Sequence, residues 1–361
     1  MTSSAIKRSF ARRIDAGRKR KMVETSGIAT WMDLFDEEQH FQRIVVKRAL
    51  HSPLLLNSIC ALTTKQLSLL DGKWATQAQS TASTYYGEAL HHLIATLGDP
   101  RSNPVPIAET LAATILLSSY ELLVCPGMDH RRHVSGALTL IRTHGCNAAS
   151  GGMAGAAFWV YVRQDVAMAL VHECPTMLAP EEWCVSWTMP EERDDCLGNQ
   201  MVWLLAKVVG YTYDKSNAAA ESGAQKESLK NDLRSWYESL PLHFKGMDIG
   251  LATAEAGGRM FFAIPSTGEL YFFIAMGLDI PGLTSSAAAM CTYHLAHILL
   301  LAEGRNAAPV IDLESQAQLN AHAQRILTVC SSSTSDGALV QAVQALYLGQ
   351  YLFPQGSCPK H

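Results

Sequence analysis

The residues of this chain best placed to do chemistry sit inside one apolar stretch. Ala156-Ala-Phe-Trp-Val-Tyr-Val-Arg-Gln-Asp-Val-Ala-Met-Ala-Leu170 is hydrophobic almost all round, yet it carries Arg163, Gln164 and Asp165 at its middle. A helix that is apolar on every side is normally buried. A buried charge is costly unless it is paired or neutralised. Arg163 and Asp165 are two positions apart, so a helix points them to different faces and they cannot pair with each other. Each must find a partner on another element or face a polar cavity. Trp159 stands four residues before Arg163, within reach of a cation–π stack worth roughly 1 kcal/mol. Tyr161 stands four before Asp165, where its phenol can donate to the carboxylate. Glu121, Arg131 and Arg132 are candidate partners from other helices. Two uses follow. One is a buried network that fixes helix register. The other is the polar floor of a small-molecule cavity, with Arg163, Asp165 and Tyr161 as proton donors, acceptors or carbonyl polarisers. Trp183, Trp203 and Trp236 could line such a cavity, although aromatic stripes in helical domains are more often core.

Histidines supply the remaining candidates. His130 and His133 are three apart beside Asp129, and His294 and His297 are likewise three apart. Such pairs could give two ligands of a metal site, but a metal needs three or four and no further ligands stand nearby in sequence. Hydrogen-bonded structural histidines are the better reading, and no metal is assigned. His133 and His294 stay as candidates for proton transfer. No Gly-x-Ser-x-Gly and no phosphate-binding loop is present. Gly151-Gly152 with Gly155 opens a helix but follows no strand, so it fails the context of a dinucleotide fingerprint. No cofactor is expected.

The elements that must position these residues read as helices throughout. The 361 residues are 48% hydrophobic and 17% charged, the composition of a well-packed globular protein. A net charge of −4 gives no overall pull toward nucleic acid. No long apolar run lacks polar interruption, so no membrane span is expected. The absence of an apolar N-terminal core argues against secretion. The nine scattered cysteines are most simply buried thiols, and their odd number argues against a complete disulfide framework.

Helical patterning covers about residues 53–70, 75–97, 107–124, 129–143, 154–173, 197–213, 229–240, 269–278, 285–302, 313–330 and 336–351. Pro106 suits a first helical turn, and His144-Gly145 a helix end. Residues 214–225 read as a flexible surface connection, and residues 241–265 as irregular. Period-two alternation is nowhere sustained. The expectation is an all-α fold of antiparallel helix pairs, a single large domain over 28–361 preceded by a basic tail at 1–27. Within that tail Lys7-Arg8 and Arg18, Lys19, Arg20 and Lys21 flank a short spacer, a candidate bipartite nuclear-localisation patch. A transit peptide, a linker remnant and a plain solvated tail are the competing readings.

Phe158-Trp159-x-Tyr161-x-Arg163-Gln164-Asp165 resembles a signature of the fungal-specific transcription factor regulatory domain. Other segments agree in order: Trp31-Met-Asp-Leu-Phe-Asp36, Ala49-Leu-His-Ser-Pro-Leu-Leu-Leu-Asn57, Thr114-Ile-Leu-Leu-Ser-Ser-Tyr-Glu121, His133-Val-Ser-Gly-Ala-Leu-Thr-Leu-Ile141, Tyr293-His-Leu-Ala296 and Ala345-Leu-Tyr-Leu-Gly-Gln-Tyr351. The resemblance spans roughly residues 30–353. In that family the domain usually follows a six-cysteine binuclear zinc cluster, which needs thiolates at short spacing. Here no two cysteines are separated by two residues, and none precedes Cys60.

The resemblance therefore implies a regulator without its own DNA-binding cluster, the module being lost or lying outside these residues. Such a protein would bind a small effector or a protein partner, with no sequence-specific DNA contact of its own. It would reside in the nucleus or cytoplasm, could be a homodimer, and could serve a secondary-metabolite pathway. The alternative is a repurposed, cofactor-independent enzyme, a cyclase, isomerase or pericyclase, using an apolar cavity in the same fold.

Overall fold

The computed structural model describes residues 28–69, 75–98, 105–124, 131–186, 193–214, 219–249, 259–261, 281–302 and 313–332. The fold is all-α. In chain order the helices are α1 (Ile28–Met32), α2 (Val46–Ala49), α3 (Pro53–Ser68), α4 (Ala75–Gly98), α5 (Ile107–Val124), α6 (Arg131–His144), α7 (Gly152–His172), α8 (Asp194–Tyr213), α9 (Ala219–Ser239), α10 (Leu242–Lys245), α11 (Pro281–Ala302) and α12 (Leu313–Ser332). A π-helical turn covers His40–Val45 and a 3₁₀ turn Pro180–Trp183.

The interval 241–265 is not wholly irregular. Met247–Ile249 (β1) pairs antiparallel with Arg259–Phe261 (β2), a ribbon too short for alternation to betray. Residues 219–225 also differ from expectation, because α9 already begins at Ala219. Its first turns, Ala219-Ala-Glu-Ser-Gly-Ala-Gln225, have no apolar face, so they carry no periodic signal. The helices read at 269–278 and 336–351 lie outside the described residues, as does the tail at 1–27.

The chain divides into two compact units, with α7 passing from the first to the second at Phe158. A chain of this length has outgrown what one core normally holds. In the first unit Pro53 opens α3, and α3 packs against α4 and α5, with α6 beside α5. The Asp33 carboxylate accepts hydrogen bonds from the Phe41 and Gln42 amides, each 2.8 Å, which anchors the start of the π turn. Gly145 closes α6 with φ +65°, and the Cys146 amide returns to the Ile141 carbonyl at 3.0 Å. That is the glycine-dependent helix ending read from the sequence.

The second unit holds α8 to α12 and also the early segment Leu34–Glu37. α11 packs on α8 and α12, and α9 packs on α8 and α11. Two side chains fasten the early segment here. Ser285 donates to the Leu34 carbonyl at 2.7 Å, and Asn199 donates to the Phe35 carbonyl at 3.0 Å. The Phe35 ring lies so close to Gly198 that a Cβ there would overlap it. Gly198→Ala is therefore expected to destabilise the protein by about 1–3 kcal/mol, the usual cost of overpacking. A urea midpoint unchanged from wild type would show that the ring can give way.

Ile107–Val124 and Ser285–Ala302 are each long and apolar enough to cross a membrane, by length and composition alone. The polar interruptions on which the expectation of no span rested are Glu109 and Glu121 in the first, and Ser, Thr and His residues in the second. Most of both helices is buried within the fold, as core helices are.

Candidate functional site

Just past the end of α7 stands a residue that rarely takes a helix-closing conformation. Glu173 takes the left-handed conformation at φ +50°, and the Cys174 amide bonds back to the Ala169 carbonyl at 3.1 Å. Past Pro175 the chain doubles back. The amides of Met177 and Leu178 each donate to one oxygen of the Asp165 carboxylate at 2.9 Å. Leu178 in turn accepts the Trp183 indole N–H at 3.2 Å and the Thr176 hydroxyl at 2.9 Å. The Trp183 carbonyl accepts the Ala148 amide at 2.8 Å. Trp183 is fully buried, edge-to-face with Phe158 and Trp159. Asp165, only 1% exposed, thus fastens the loop after α7 through charge-assisted bonds to backbone.

Arg163 and Tyr161 are equally buried. The Arg163 guanidinium stands 5.7 Å from the centroid of Phe35, not over Trp159 as the four-residue spacing implied. The Trp159 ring is taken up by Phe158 and Trp183 instead. Glu121, read as a possible partner for these charges, accepts a short hydrogen bond from Tyr86 in the first unit, where Tyr86 also stacks on Tyr120. Burial pushes the Glu121 carboxyl up to about 7, an effect the Tyr86 bond only partly offsets.

A second polar cluster lies in the second unit, among α9, α11 and α12. His294, His297 and Tyr293 come from α11, His322 from α12. The Nδ1 atoms of His294 and His322 are 2.9 Å apart, so one donates and the other accepts. The rings of His297 and His322 stack at 4.7 Å and 8°. The Nε2 atoms of His294 and His297 are buried with no hydrogen-bond partner. Beside the rings runs a cleft of about 330 Å³, lined by Lys230 and Arg234 of α9, Tyr293, His297, Leu300 and Leu301 of α11, and Gln318 and His322 of α12. Burial, and then the neighbouring imidazole of His322, holds His297 down at about 4; burial holds His322 at about 4 as well. His294 is held well below the ordinary imidazole range, by burial first and then by His322, His297 and Arg325.

These shifts predict a pH dependence. A base whose folded pKa is depressed contributes stability that is present above its unfolded value near 6.5 and lost as pH falls through the folded value of about 4. The unfolding midpoint should therefore fall over that window. A His297→Asn, His322→Asn double variant should show a shallower slope there, read by denaturant unfolding at stepped pH. Equal slopes would mean the rings are not held neutral by the fold.

Of the residues read as site candidates, Arg163, Asp165 and Tyr161 share α7, and His294 belongs to the α11–α12 cluster. His133 lies on α6 in the first unit. The localisation candidates Lys7, Arg8, Arg18, Lys19, Arg20 and Lys21 lie outside the described residues. The sequence reading missed His322, Lys230 and Arg234. The spacing of Lys230 and Arg234 puts them on one face of a helix, which was visible, whereas His322 is a lone histidine 28 residues from His294. Among the described residues no group of three or more His, Cys, Asp or Glu could hold a metal ion. No disulfide joins the described cysteines; among them Cys60, Cys146 and Cys291 are buried and Cys184 is exposed, so the thiols are less uniformly internal than expected.

Residues 24–162 match the family model of the fungal specific transcription factor domain. The match takes in Trp31–Asp36 and Phe158–Tyr161 and stops one residue short of Arg163, a shorter span than the motifs at 30–353 implied. No curated protein and no solved structure matches the chain.

Proposed function

We propose that this chain, bearing the fungal specific transcription factor domain, is a regulatory protein of transcription that responds to a small molecule held in the α9–α11–α12 cleft. The family match carries the regulatory part of this reading. The cleft supports the effector part. Its volume of about 330 Å³ is at the lower end for ligand pockets, and it sets Leu300, Leu301 and the Tyr293 ring beside five polar or charged side chains. In this reading the α7 charges are a lock. Both Asp165 oxygens are engaged by backbone amides, which leaves them poorly placed to move protons for a reaction. The basic run at Lys7-Arg8 and Arg18–Lys21 supports action in the nucleus.

The test is a tethering assay. The full chain is fused to a heterologous DNA-binding module, and transcription of a reporter carrying its sites is measured. The reading expects activation or repression relative to the module alone. Reporter output identical to that of the module alone, with the fusion present in the nucleus, would sink it.

A further inference from the structure

The charge pattern of the cleft is one-sided. None of its eight lining residues is acidic, while Lys230 and Arg234 stand four apart on α9 and face it together. Lys230 is paired with Glu227 at 2.7 Å. Arg234 has no carboxylate partner among the described residues; its contact is the side-chain oxygen of Asn231 at 3.5 Å. Arg325 adds positive potential at His294, and Tyr237 and Glu238 stand beside Tyr293. A cation would meet Lys230 and Arg234 with no carboxylate in the wall to hold it. Leu300, Leu301 and the Tyr293 ring offer apolar surface beside these donors. Behind the wall, the shared Nδ1 hydrogen bond couples the tautomers of His294 and His322, one ring donating and the other accepting.

We infer that the cleft is a binding site for a small organic carboxylate with an apolar body, held by the Arg234 guanidinium and by His297 and His322. This rests on the effector reading above and names its chemical class. A guanidinium fork suits two carboxylate oxygens, and the leucines and tyrosine suit the remainder of the molecule. A second consequence follows from the buried rings. The fold holds His297 and His322 neutral, at about 4. An anion beside them favours the protonated imidazole, so the carboxylate is bound together with a proton taken from solvent. Affinity therefore rises as pH falls below neutrality.

The test is calorimetric titration of the full chain with benzoate, in two buffers of different ionisation enthalpy. Parallel titrations use benzamide, the neutral isostere, and inorganic phosphate. The expected result is benzoate binding with net proton uptake, benzamide weaker by about tenfold or more, and Arg234→Gln weaker by about tenfold. Arg234 is exposed, so that variant should fold as the wild type does. The inference is overturned if benzamide matches benzoate, if Arg234→Gln binds unchanged, if no proton is taken up, or if none of the three probes binds. Phosphate binding as tightly as benzoate would overturn the carboxylate class and assign the cleft to phosphorylated ligands. Because binding is read on the isolated protein, a silent reporter leaves this result standing. A failed titration likewise leaves the regulatory reading to be judged by its own assay.

Discussion

Asp165→Ala is expected to lower the unfolding free energy by about 3 kcal/mol or more. The substitution strands the amides of Met177 and Leu178, now each 2.9 Å from a carboxylate oxygen, in a site where Asp165 is 1% exposed. Each buried donor left without an acceptor costs about 1–3 kcal/mol. Asp165→Asn should recover roughly half the loss, because one carbonyl oxygen remains while its NH₂ opposes the second amide. Denaturant unfolding followed by near-ultraviolet circular dichroism measures both. An Asp165→Asn variant as unstable as Asp165→Ala would mean the negative charge itself, rather than its two acceptor oxygens, holds the loop.

Trp183→Ala should cost about 3–5 kcal/mol, the usual toll of emptying a large core site. The side chain is fully buried between Phe158 and Trp159, and its N–H holds the same loop through Leu178. Since both residues act on one loop, the losses should not add. A double variant is expected to fall short of the sum by about 0.5–3 kcal/mol in a double-mutant cycle. Strict additivity would separate the aromatic cluster from the carboxylate and break the account of a single lock.

The helices were legible because their cause is local. The apolar run of α5, Gly145 after α6 and Pro53 at the start of α3 each act within a few residues, so periodicity and end signals expose them. The problem posed by Arg163 and Asp165 was legible too, since two positions on a helix cannot face each other. Its solution was not. Asp165 is answered by amides 12 and 13 residues onward, and backbone N–H groups leave no trace in side-chain pattern. Arg163 is answered in part by Phe35, more than a hundred residues upstream, brought there by Ser285 and Asn199. Gly198 gave no hint either, because the need for a missing Cβ arises only once Phe35 is in place.

The cleft was legible in part. His294 and His297 could be read as one face of a helix, but His322 belongs to a different helix and joins them only through tertiary packing. The proposed division of roles, with the α7 charges as a lock and the cleft as a site, rests on contacts that only the folded chain makes. Phe158, Trp159 and Asp165 of the α7 signature are structural neighbours of the loop after α7, whereas the cleft is lined from α9, α11 and α12.

The most direct measurement of that division is reporter output in the tethering assay plotted against thermal stability, for Asp165→Asn and Arg234→Gln side by side. The account predicts that Asp165→Asn loses output only in proportion to its lost folded fraction. It predicts that Arg234→Gln alters output while its unfolding temperature stays at the wild-type value. A stable Asp165→Asn protein that is silent, together with an Arg234→Gln protein that responds as wild type, would contradict it.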